Sequence, residues 1–348
     1  MSNWRGNKGE WSEAYAFLRI LCDPVLSSAD SLLRARSGQY SVVKSVLFRQ
    51  NGENVVFVPR SHNYANPETG ALVELAEIKN CLPIIFEQIS VGLGGGAFEV
   101  PLIQDIYQRL GLHSFKMSSQ NKVDITLVLS SNNGMNDLPL GFSIKSQLGS
   151  PSTLLNASAA TNIYYQVDSV EESVHLKEAE LIHYRQILDF CQANKIQMKY
   201  IDYASQVFKD NLSFFGSDFP EFFAEIVRSY VSGEAKTRLL SELVVVNSNG
   251  ARDLARREFQ MKSFLRAVAL GLVPNSPWDG NLKGYGGYLI VKDSGDLLCF
   301  LLENDDDFKT YLYLDTSLTT PKSQLFSKTT YEQGSARIAL NAQIRFLK

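Results

Sequence analysis

The sequence predicts an α+β protein in which a central mixed sheet is flanked by helices and followed by a β-rich C-terminal region. Three observations predict it. Segments with helical and with strand-like spacing of apolar residues are interleaved along the chain without an internal repeat. β-branched runs are joined by short polar turns of hairpin type. The 348 residues are 45% hydrophobic and 20% charged, ordinary values for a folded globular protein, and the length allows one large or two ordinary domains.

Taken in order, GEWSEAYAFLRILCD sets Trp11, Ala14, Tyr15, Leu18 and Leu21 on one helical stripe that Pro24 closes. YSVVKSVLFRQ and NVVFVPR are β-branched runs joined by Asn51-Gly52-Glu53, a hairpin signal. Residues 69–91 have helical spacing with a break or restart at Pro83, and PLIQDIYQRLGL is a short helix opened by proline and closed near Gly111. DITLVLSSNNGMNDLPLGFSIKSQLGS, residues 124–150, is a strand, a polar turn and a second strand. LLNASAA then reads as a helix, TNIYYQVDSV as a strand and EAELIHYRQILDFCQANK as a helix. Residues 219–243 and 252–271 are helical, and GYGGYLIVKDSGDLLCFLL returns to strand with a hairpin turn at Asp293-Ser-Gly-Asp296.

Several function classes lose support at once. A formal charge of -3 gives no global attraction to nucleic acid, although a basic cleft can persist within a neutral total because the Debye length is about 8 to 10 Å. Cys22, Cys81, Cys191 and Cys299 show no C-x-x-C spacing, which argues against a zinc knuckle and fits a reducing cytoplasm. No stretch reaches the roughly 18 apolar residues of a membrane span, and the polar N-terminus is not a targeting segment. Gly92-Leu-Gly94-Gly-Gly96 lacks the strand and the Lys-Ser/Thr of a phosphate loop. His62, His113, His175 and His183 are scattered, and Glu303-Asn-Asp305-Asp306-Asp307 lacks the alternation of a calcium loop and reads as a solvated turn.

Residues 124–150 are different because their parts agree. Ile125, Leu127 and Leu129 alternate with Thr126 and Val128, so Asp124 lies on the face opposite the three aliphatic residues. On the next strand Ser143, Lys145 and Gln147 share one face and Phe142, Ile144 and Ser146 the other. A short turn brings Asp124 beside that polar face. An aspartate and a lysine at the end of paired strands suit phosphodiester hydrolysis, in which a carboxylate holds Mg²⁺ and an ammonium positions water or stabilises developing charge. The plain alternative is a surface ion pair on a hairpin.

The run GFSIKSQLGSPSTLLNASAATN with the preceding DITLVL resembles the core signature of the HpaII-type restriction endonucleases. GEWSEAYAFLRIL, FLRAVALG, DGNLKGYGGYLIVKDSGDLLCF and LNAQIRF are similar to other parts of that family's pattern, so the resemblance covers nearly the whole chain. It implies a PD-(D/E)XK restriction-endonuclease-like core and a type II enzyme that cuts double-stranded DNA with Mg²⁺ at a short palindrome such as CCGG. It further implies a cognate DNA cytosine methyltransferase as genetic partner and favours a homodimer. Residues 1–200 would form the nuclease core, and residues 201–348 a helical and then β-rich region packed on it and contributing to DNA recognition.

Carried over by residue, the resemblance makes Asp124 the metal-binding acid and Lys145 the motif lysine. Ser143 then stands where the motif usually has an acid, which also motivates the alternative of a DNA-binding protein that has kept the fold and lost cleavage. Residues 146–167 contain no Asp or Glu, so the helix after the lysine strand cannot supply a second carboxylate. Glu13 of the first helix is the remaining local candidate, although Glu10 and Glu13 also suit a helix N-terminus through its dipole. Gln147 offers an amide oxygen to the metal or a contact to the scissile phosphate. Ser152 or Thr153 would cap the helix LLNASAA and turn its N–H groups toward a phosphate, and Asn156 and Asn162 are candidates for base or backbone contact. Arg34, Arg36, Arg60, Lys283, Lys322 and Gln324 are candidates for reading a G·C-rich site, against the default of ordinary surface residues.

Overall fold

The structure is a computed structural model and describes residues 4–50, 53–92, 96–115, 123–130, 138–167, 189–190, 192–194, 198–281, 285–301, 305–319, 329–332 and 335–347. These fall into two compact units, one from residues 1–152 and 283–311, the other from residues 153–282 and 312–347. The chain thus passes from one unit to the other at residues 152, 282 and 311, and residue 200 lies inside the second unit.

The first unit is built on a seven-stranded mixed sheet. Its strands are β1 (Val25–Ala29), β2 (Ala35–Gln50), β3 (Glu53–Phe57), β6 (Ile125–Leu129), β7 (Pro139–Ser146), β11 (Tyr285–Val291) and β12 (Leu297–Leu301), in the spatial order β1-β12-β11-β7-β6-β2-β3. β7 pairs β11 in parallel and β1 pairs β12 in parallel; the other neighbours are antiparallel. The long β2 also pairs β1, so it joins both edges of the sheet. A two-stranded ribbon, β4 (Asn63–Ala65) with β5 (Leu72–Glu74), completes the unit's strands.

Period-two alternation sorts the side chains of the central strands. Phe142 and Ile144 of β7, Ile125 and Leu127 of β6, and Leu289 and Val291 of β11 join one core with three helices. These are α1 (Lys8–Cys22), α2 (Leu75–Val91) and α3 (Pro101–Arg109). Trp11, Phe17, Ile85 and Tyr107 are among the fully buried helical residues of that core. On the opposite face Tyr288 and Phe300 meet Phe308, which lies in the helix Asp305–Leu314.

In the second unit, α4 (Gln206–Ser213), α5 (Phe219–Val231), α6 (Leu240–Val246) and α7 (Ala251–Ala269) accompany two small sheets; the helix Asp305–Leu314 is α8. One sheet has the order β10-β9-β15-β14, from Met198–Tyr203, Asn162–Val167, Ser335–Asn341 and Thr329–Glu332. The other has the order β13-β16-β8, from Thr316–Thr319, Gln343–Phe346 and Thr153–Leu155. Phe219 stacks on Phe223 and Phe264 meets Phe223 edge-on in the helical core, and the Tyr165 hydroxyl donates to the Ala224 carbonyl at 2.7 Å.

The predicted α+β class, the opening helix, the 40–60 hairpin and the Asp293–Asp296 turn are present. Four local readings are corrected. Residues 154–155 of LLNASAA pair with β16 as strand β8, with Leu155 opposite Ile344, and are not a helix. α2 begins only after β5 and runs through Pro83 without a restart. The 219–243 segment is two helices, interrupted where Gly233 takes φ 74°. Asp305, Asp306 and Asp307 form the first turn of α8, where negative charge suits the helix dipole, and not a solvated turn. The predicted helix 178–195 lies mostly outside the described residues.

Candidate active site

Asp124 sits one residue before β6, and its backbone N–H donates to the Phe142 carbonyl at 2.9 Å. That bond sets the aspartate beside Ser143 on the face away from the core. Its Oδ2 accepts two hydrogen bonds, from the Ser143 hydroxyl at 3.0 Å and from the Ile144 backbone N–H at 2.7 Å. Ser143 is only 3% exposed. Oδ1 receives no protein donor among the described residues.

Lys145 follows on the same face of β7, half-buried, with Nζ 6.0 Å from the centroid of the Tyr288 ring. Tyr288 stands opposite Ser143 in the parallel β7–β11 register and is 2% exposed. Parallel pairing of distant strands put Tyr288 here, and nothing local in GYGGYLIV marks it as a neighbour of Lys145. Just past β7, the exposed Gln147 donates its backbone N–H to the Val291 carbonyl at 3.0 Å, and its Oε1 accepts from the Asp293 backbone at 3.4 Å.

The first helix meets this end of β7. The Ser12 hydroxyl donates to the Lys8 carbonyl at 2.7 Å and lies 2.8 Å from the Ser146 hydroxyl. Glu10 and Glu13 separate in role. Glu10 completes a capping box with Asn7, its Oε2 accepting from the Asn7 N–H at 2.8 Å while the Asn7 side chain accepts from the Glu10 N–H at 3.1 Å. Glu13 is half-buried, and its charge adds to the effect of burial in raising the Tyr107 phenol well above its usual range. Among the described residues no three His, Cys, Asp or Glu side chains form a cluster able to hold a metal. What the strands offer is one carboxylate oxygen, Oδ1 of Asp124, a hard ligand of the type Mg²⁺ and similar ions prefer.

The predicted DNA contacts scatter. Arg34 closes a turn with Asp30, donating from its backbone N–H and its guanidinium, and Arg36 is ion-paired with Asp307 at the start of α8. Arg60 lies 3.7 Å from Asp23. Ser152 precedes strand β8 and Thr153 opens it, paired with Arg345 of β16, so neither caps a helix. Asn156 is exposed. Asn162 accepts from Asn341 at 2.6 Å in a network with Ser158 and Thr161, which holds the loop before β9. Lys283, Lys322 and Gln324 lie outside the described residues. Sequence reasoning passed over Arg337 of β15, whose guanidinium lies 3.6 Å from the centroid of the Tyr164 ring.

An aspartate just before β6, hydrogen-bonded to Ser143 and Ile144 of β7 with Lys145 on the same face, has the chemistry a metal-dependent nuclease uses, and comparison with known proteins shows the family. The model of the HpaII restriction endonuclease family matches residues 7–346. The chain belongs to the HpaII restriction endonuclease family. It is 32% identical to the type II restriction enzyme HpaII of Haemophilus parainfluenzae, with 98% of each chain covered. No solved structure matches. Membership makes the protein a type II site-specific deoxyribonuclease with double-stranded DNA as substrate, of a class that generally needs a divalent metal ion. Among the described residues no helix is long and apolar enough to cross a membrane.

Proposed function

We propose that this restriction endonuclease hydrolyses double-stranded DNA with Mg²⁺ at Asp124 and Lys145, within a short palindrome of the CCGG type. The observation that carries the reading is the Asp124 carboxylate, held through Oδ2 by β7, with Lys145 on the same face and no donor to Oδ1 among the described residues. Oδ1 of Asp124 and the Glu13 carboxylate would hold the metal. A bound Mg²⁺ would supply positive charge to neutralise the phosphate oxygens and lower the pKa of water. The Lys145 ammonium orients the attacking water or stabilises charge developing on the phosphate, and displacement in line inverts the configuration at phosphorus. Gln147, exposed beside the 293–296 turn, contacts the backbone next to the scissile phosphate.

A palindromic target favours a two-fold homodimer. A cytosine methyltransferase of the same specificity protects the host's own sites, and both proteins act in the cytoplasm. The test is a digest: purified protein is incubated with plasmid and Mg²⁺, with and without EDTA, and the fragment ends are sequenced. Discrete fragments sharing one end sequence, absent with EDTA, are expected. Intact DNA, or ends of random sequence, would overturn the reading.

A further inference from the structure

The position two residues before Lys145 is where a nuclease of this type ordinarily carries an acid, yet Ser143 fills it and is 3% exposed. A hydroxyl taken out of water needs a partner, and this one donates to Oδ2 of Asp124 at 3.0 Å. The same oxygen takes the Ile144 N–H at 2.7 Å, a bond that any residue at position 143 would leave in place. What the serine adds is the second donor. Two donors from different directions fix the carboxylate plane, and they leave Oδ1 as the oxygen without a protein donor among the described residues.

We propose that Ser143 is a positioning residue: it locks Asp124 through Oδ2 so that the paired strands present a single, oriented oxygen, Oδ1, to a divalent cation. The inference rests on the nuclease reading above and goes beyond it, because it gives the serine a task instead of treating the position as a missing ligand. An aspartate at 143 would remove the donor and bring a second negative charge to about the same 3.0 Å from Oδ2, so restoring the usual acid impairs the site.

The experiment uses the full-length protein and three variants, Ser143→Ala, Ser143→Thr and Ser143→Asp. Thermal melting first checks that each is folded. Two quantities are then read: Mn²⁺ affinity, from the electron paramagnetic resonance of the free ion, and the Mg²⁺ dependence of plasmid cleavage. In Ser143→Ala we expect Mn²⁺ affinity to fall about tenfold and the Mg²⁺ needed for half-maximal cleavage to rise by a similar factor. Ser143→Thr keeps the donor and stays within about threefold of the wild type, and Ser143→Asp cuts more slowly than the wild type at every Mg²⁺ concentration. Unchanged Mn²⁺ affinity and Mg²⁺ requirement in Ser143→Ala, with wild-type protein cutting normally, would overturn the inference alone. Faster cutting by Ser143→Asp would do the same, since the position would then be a vacant ligand site. If the wild type neither cuts DNA nor binds Mn²⁺, the underlying reading fails and the inference falls with it.

Discussion

Among single residues the two glutamates of α1 carry the clearest contrast. They are three apart in sequence, and only the structure separates them: Glu10 is spent on the capping box, whereas Glu13 lies half-buried in the next turn, where its charge reaches Tyr107. On the proposed function Glu13 is a metal ligand, so Glu13→Gln should reduce cleavage by about a hundredfold or more, as loss of a group acting on the charged reaction centre does. Glu10→Gln should cut at near the wild-type rate, because glutamine serves equally in a capping box. Initial rates of plasmid linearisation compare the two, and full activity in Glu13→Gln would remove the first helix as a source of metal ligand. Asp124, Ser143 and Lys145 were legible in the sequence as neighbours because adjacent strands with period-two alternation fix which side chains share a face. The helix cap expected at Ser152 or Thr153 was not, because pairing of Thr153 and Leu155 with β16 overrides the helical tendency of the following residues.

At the level of elements, β11 is the strand on which the site depends, since it pairs in parallel with β7 and carries Tyr288 beneath Lys145. Gly287 lets it fit. Its φ is +152°, and a Cβ there would lie 1.9 Å from the Phe300 carbonyl oxygen of β12. Gly287→Ala should cost about 3 kcal/mol of stability. Gly38, at φ +72° with no atom within 4 Å of where a Cβ would sit, should cost only about 1 kcal/mol as Gly38→Ala. Urea unfolding of both variants measures the difference; equal midpoints would show that β11 tolerates side-chain bulk at this position. The hairpins 40–60 and 285–301 could be read from turn residues between β-branched runs, since both signals are local. Helix limits at 69–91 and 219–243 were less legible. The β4–β5 ribbon takes residues 72–74 into a strand, and the positive φ of Gly233 ends a helix whose apolar spacing continues past it.

For the whole molecule, composition and element order indicate an α+β protein, but they do not say that residues 283–311 return to the sheet of the first unit. That return lays β11 against β7 over a sequence separation no local pattern records, and it supplies one wall of the Asp124–Lys145 site. On the proposed function this pair, and not some other group in the chain, performs the cleavage. The assignment is tested most directly by comparing Asp124→Ala and Lys145→Ala with the wild type, reading plasmid cleavage in Mg²⁺ alongside salt-dependent DNA binding on filters. Both variants should lose cleavage while binding DNA nearly as well as the wild type; either one cutting at close to the wild-type rate would contradict the assignment.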